Sequence, residues 1–251
     1  MHDREYGARA VIGVAIPQAN PTVEPEMAAL MPPGVSLVAT RLTSQCSEPR
    51  ERLFQYESGF HHAPASFDTL KLDALGFACT GASYLVGAAV EDERIAELSN
   101  SVGYPVMSAA QAIKAALSRL KARRMALLSP YAAWLTDAGL DYWREQGIEI
   151  VQTATIALPS SDTRGVYAIR NASVMQVSEA FMGVSADVLL LSGTGMPTLR
   201  ALEPLQQKLG IPVLSSNYCL AWALLDRLEL LSPRADGGSL LSGYESALER
   251  L

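Results

Sequence analysis

One stretch of this chain is written twice. Residues 105–117, PVMSAAQAIKAAL, lie on residues 212–224, PVLSSNYCLAWAL, with the proline, the first valine, the serine and the closing apolar helix positions in register. Residues 78–83, ACTGAS, lie in the same way on residues 192–197, SGTGMP, and Pro17 after an early apolar run corresponds to Pro130 after a later one. Three correspondences in the same order indicate a duplicated unit. A chain of 251 residues suits one large core or two lobes, and the repeat decides for two.

Each copy alternates two patterns. Short aliphatic runs occur at 10–16, 35–40, 74–79, 124–128, 148–154, 187–191 and 211–214. Segments of helical period fall at 49–59, 84–98, 108–121, 132–146, 166–182, 199–209 and 217–230. Strands that are apolar throughout and separated by helices predict parallel sheets covered on both faces. The expected fold class is α/β: two pseudo-twofold-related lobes, each a parallel sheet flanked by helices, with the site in the cleft between them. The expected division gives residues 7–112 plus 215–251 to the first lobe and 113–214 to the second. The terminal segments MHDREYG and SPRADGGSLLSGYESALERL are expected to be mobile or intersubunit.

Composition narrows the function. The net charge of -6 would repel nucleic acid and anionic lipid over most of the surface. Three cysteines are an odd, sparse set that suits free thiols in a reducing compartment, so the expected location is cytoplasmic. The apolar run from Ala10 to Pro17 is too short for a signal peptide or a membrane span.

In open parallel sheets, ligands bind where strands end and helix N-termini present free N–H groups. Four segments fall at such edges: PQAN at 17–20, CTGAS at 79–83, SPY at 129–131 and SGTGMPT at 192–198; SSN at 215–217 begins the last helix. These edges bring in Pro17, Gln18, Asn20, Thr80, Gly81, Tyr131, Gly193, Thr194, Gly195 and Asn217. Cys79 follows a strand and precedes a helix, a position that lowers a thiol pKa, although a buried structural cysteine would read the same. Thr80 and Ser83 either donate to an anion or cap a helix. Gly193 and Gly195 around Thr194 suit an anion nest. His61 and His62 are adjacent and point apart. There is no CxxC, HxxxH or acidic cluster for a metal, no GxGxxG or P-loop for a nucleotide, and no GxSxG elbow with a late histidine.

VAIPQANPTVEPE, GFACTG, LLSPY, LLLSGTGMPT and PVLSSNYCLAWALL, taken together over nearly the whole chain, resemble the maleate isomerase and arylmalonate decarboxylase branch of the aspartate/glutamate racemase superfamily. The resemblance implies no cofactor and a homo-oligomer, a dimer first. Its racemases and isomerases carry one cysteine from each half. Here the first matches Cys79, while the second position falls on Gly193; arylmalonate decarboxylases show the reverse. The resemblance assigns substrate binding to Asn20, Tyr131, Thr80 and Gly81, with Thr194 and its neighbouring backbone opposite. An asparagine expected near residue 163 is absent, and Asp162, Thr163 or Arg164 of SSDTRG approaches that space. The expected function is a cofactor-independent isomerase or racemase acting on a small mono- or dicarboxylate through Cys79. The alternatives are a decarboxylase protonating an enediolate on one face, with Gly193 leaving room opposite, and a noncatalytic carboxylate-binding protein.

Overall fold

A computed structural model describes residues 4–231 and residue 240. Of the two terminal segments, residues 1–3 of the first and all but residue 240 of the second lie outside the described residues. The two halves build the same sheet. In the first, β1 (Ala10–Pro17), β2 (Val35–Leu42), β3 (Ala74–Phe77) and β4 (Val106–Ser108) pair in the order β2-β1-β3-β4; in the second, β5 (Arg124–Ser129), β6 (Glu149–Thr155), β7 (Val188–Leu191) and β8 (Val213–Ser215) pair in the order β6-β5-β7-β8. All neighbours are parallel. β1 and β7 are buried along their entire length, which is why they read as unbroken apolar runs, while the edge strands β2 and β6 are only partly buried.

The helices are α1 (Val23–Leu30), α2 (Pro49–Phe60), α3 (Thr80–Val86), α4 (Ala88–Val102), α5 (Ala109–Leu120), α6 (Ala133–Glu145), α7 (Asn171–Val177), α8 (Leu199–Leu209) and α9 (Ser216–Arg227). The periodic segment 84–98 is cut at Gly87, whose φ of 84° only glycine adopts freely, so that it divides between α3 and α4. The segment 166–182 is not one helix either: a 3-10 turn at Thr163–Ala168 precedes α7, and another at Ser178–Phe181 follows it. Periodicity marks neither β4 nor α1.

α9 is the shared centre. Ser216 to Leu225 are all buried, the pattern of a helix packed on every side. It lies against α1, α5 and β3, and Gly76 of β3 makes room for it: a Cβ there would stand 3.1 Å from Leu224 and 3.3 Å from Leu220. Polar bonds also join the halves. Glu26 of α1 accepts from the free N–H groups of Thr198 (2.5 Å) and Leu199 (2.9 Å) at the start of α8, and from Asn217 Nδ2 at 2.8 Å. Burial holds the Glu26 carboxyl above its ordinary value despite these donors. Tyr84 Oη meets Ser192 Oγ at 2.8 Å and accepts from Trp143 Nε1 at 3.0 Å.

Candidate active site

The loops after β1, β3, β5 and β7 converge between the two sheets. Cys79 ends the β3 loop as the residue before α3 and is buried. The helix N-terminus does reach it, but burial dominates and pushes the thiol up to about 12, the Ala82 N–H opposing this and Glu91 adding to it. The expectation of a lowered thiol pKa is therefore overturned. Its closed surroundings outweigh one helix turn.

Gly193 occupies the corresponding place after β7. Its φ of 96° is unsuited to a side chain, and a Cβ there would lie 2.9 Å from both Pro130 Cγ and Tyr131 Oη. The second half thus leaves no vacancy opposite Cys79: the Tyr131 phenol fills it. Burial raises the Tyr131 phenol well above 10, so it is neutral and carries its proton.

Hydroxyls and amides bind the two loops together. Ser216 Oγ accepts from Thr80 Oγ1 (3.0 Å) and from the Gly193 N–H (3.0 Å). Thr194 Oγ1 donates to the Ala78 carbonyl at 2.8 Å and accepts from Asn20 Nδ2 at 3.3 Å. Asn20 Oδ1 accepts from the Thr22 N–H at 2.9 Å, which fixes the amide. One of the two Asn20 amide protons is left for another acceptor.

Pro17, Asn20, Cys79, Thr80, Gly81, Tyr131, Thr163, Thr194 and Gly195 share the wall of one cavity of about 30 Å³, room for about one or two waters. Gln18 is not on that wall, because its amide is paired to the Ser44 backbone at 3.0 and 2.8 Å. Asn217 is turned to Glu26 and to the Thr194 carbonyl. Gly193 contributes backbone behind Tyr131. Asp162 stands one layer back, bonded to Arg52 and Arg164; the Arg164 side chain first, then its N–H and the charge of Arg52, hold its carboxyl at about 2.

Sequence reasoning missed Arg52, Leu53 and Tyr56 of α2, and Val166 and Tyr167 of the 3-10 turn, which complete the wall. Tyr167 closes directly over Gly195, where a Cβ would come within 2.6 Å of its ring. A signal for Arg52 existed: Arg52, Tyr56 and Phe60 recur at four-residue spacing, which puts an arginine on the apolar face of α2. Among the described residues no helix is long and apolar enough to cross a membrane, and no group of three or more histidine, cysteine or acidic residues gathers for a metal.

Comparison with known proteins extends the likeness over about nine-tenths of the chain. The chain is 27% identical over 245 residues to maleate isomerase of Geobacillus stearothermophilus, covering 92% of this chain and 97% of that one. It is 30% identical over 241 residues to maleate isomerase of Nocardia farcinica, covering 92% and 94%. Among solved structures, a cysteine-to-serine variant of the Nocardia farcinica maleate cis-trans isomerase with a covalently bound succinylcysteine intermediate superposes with a TM-score of 0.81 at 26% identity, over 88% of this chain and 94% of that one. The buried cysteines and these relatives make the chain a cofactor-independent, cysteine-dependent enzyme of the isomerase and decarboxylase type. The family described as arylmalonate decarboxylase matches residues 12–241, and the chain belongs to it, within the aspartate/glutamate racemase superfamily.

Proposed function

We propose that this enzyme isomerises a small unsaturated dicarboxylate, maleate to fumarate as its first reaction, with Cys79 as its sole attacking thiol. The observation that carries this reading is the placing of Cys79 in one cavity with the uncommitted amide proton of Asn20 and the neutral phenol of Tyr131. These groups suit a carboxylate whose charge grows as a nucleophile adds next to it. The curated relatives, named maleate isomerases, favour this substrate over others of its class.

In the proposed cycle the sulfur lone pair forms a C–S bond to one alkene carbon, and the π pair moves toward the neighbouring carboxylate to give an enediolate. Tyr131 donates a proton to the other alkene carbon and is restored by the proton leaving Cys79, so that S–H has added across the double bond. The former double bond now turns. Reversal of the same transfers expels the sulfur and leaves the trans diacid. Tyr131 takes the part that a second thiol at position 193 would otherwise play, and it stands where that side chain would be.

Incubation with maleate in D₂O, followed by proton NMR, tests this directly. Fumarate is expected, and Cys79→Ser should lower its rate by about 10³-fold or more. The family match keeps decarboxylation as the competing reading. Monoacid deuterated at the α-carbon, formed from an α-substituted malonate while maleate stays intact, would decide for it.

A further inference from the structure

Arg52 is a cation in an expensive place. It leaves the first turn of α2 and is 1% exposed, yet it forms part of the wall around Cys79. A buried charge is tolerated when its donors are matched. Nη1 donates to the carbonyls of Cys46 (3.3 Å) and Ser47 (3.2 Å), and Nη2 donates to Asp162 Oδ1 at 2.6 Å and to Thr163 Oγ1 at 3.4 Å. Nε is buried with no partner.

The pattern of filled and empty donors has a shape. The Nε and Nη2 edge of a guanidinium grips a carboxylate through two parallel bonds; on Arg52 the Nη2 end of that edge is filled by Asp162 and Thr163, which belong to the same turn, and the Nε end is empty. Asp162 does not depend on Arg52, because Arg164 already binds it through the backbone N–H at 2.9 Å and through Nε at 3.1 and 3.0 Å. Exchange of Asp162 for another carboxylate therefore leaves no charge without a partner. Asp162 also begins the turn that carries Val166 and Tyr167 onto the cavity. The free volume of about 30 Å³ is small beside a four-carbon diacid, so substrate entry is expected to displace part of this wall.

We propose that Arg52 binds the substrate carboxylate remote from the carbon that Cys79 attacks, and that Asp162 holds that place in the empty enzyme. The inference rests on the reading of the substrate as a small dicarboxylate. It makes the site selective for dianions over monoanions, and it couples substrate binding to release of the turn at Thr163–Ala168.

Calorimetric titration with succinate, an unreactive dicarboxylate, and butyrate, a monoacid of equal chain length, tests it without requiring turnover. Arg52→Gln should weaken succinate about 30-fold and leave butyrate within about twofold, with Arg52→Lys recovering part of the loss. Asp162→Asn keeps the arginine and removes its competitor, so it should bind succinate about three- to tenfold more tightly than the wild type. Equal effects of Arg52→Gln on both acids, weaker succinate binding by Asp162→Asn, or no binding of succinate to the wild type would each overturn the proposal. Maleate turnover separates this failure from that of the proposed function. Wild-type turnover with an unchanged KM in Arg52→Gln removes the role of Arg52 alone; Arg52-dependent succinate binding without turnover removes the isomerase reading alone.

Discussion

The fate of Cys79 turns on the sign of one pKa. Local sequence puts the thiol at a helix N-terminus, which favours thiolate; the fold encloses it, which favours thiol, and enclosure wins by pushing it up to about 12. Iodoacetamide labelling of Cys79 in the free enzyme, followed by mass spectrometry, should therefore accelerate about tenfold per pH unit from pH 7 to 10, with no plateau near the ~8.5 of an ordinary thiol. A plateau below pH 9 would show that the thiolate is already stabilised before substrate arrives. The same shift bears on stability. Burying the neutral thiol stabilises the fold fully below the unfolded-state pKa, near 9.0, and this contribution fades as pH climbs toward 12. At Gly193 the sequence shows only a missing cysteine, whereas the structure shows a φ of 96° and a tyrosine hydroxyl in the place of its side chain. Adjacency across a cleft is not written in either loop alone.

Elements were legible where they bury themselves locally. β1, β3, β5 and β7 announce themselves because both faces of each are covered. β4 is only three residues long, too short for a periodicity to register, although the aliphatic run at 211–214 marks its counterpart β8 and the repeat aligns the two. α1 carries little amphipathic signal because its task is polar as well as apolar: Glu26 caps α8 from the opposite half. Glu26→Ala would leave the Thr198 and Leu199 N–H groups and the Asn217 amide short of an acceptor and should cost about 2–4 kcal/mol. Glu26→Gln retains an oxygen and sheds a carboxyl that burial already disfavours as an anion, so its cost should stay under about 1 kcal/mol. Urea unfolding monitored by circular dichroism measures both. A larger loss in the glutamine variant than in the alanine variant would contradict this account of the cap.

At the scale of the molecule, the duplication makes the cleft and the shared packing keeps it closed. The residues at strand ends could be found from sequence because a loop after a buried strand is a local fact; Asn20, Cys79, Tyr131 and Thr194 are of this kind. Arg52 and Tyr167 come to the same cavity by the docking of a helix and a turn, which depends on the whole chain. That docking predicts how the protein unfolds. α9 is buried between elements of its surroundings along ten consecutive residues, and Glu26, Tyr84 and Arg52 each bond across the halves, so neither half retains its core when the other opens. Trp134 and Trp143 lie in α6, next to the second sheet, and Trp222 lies in α9. Tryptophan fluorescence and far-ultraviolet circular dichroism should therefore trace one coincident transition in urea. If fluorescence instead moved at lower urea than the helical signal, the halves would be separate folding units, and the cleft would be an interface between domains rather than the interior of one cooperative structure.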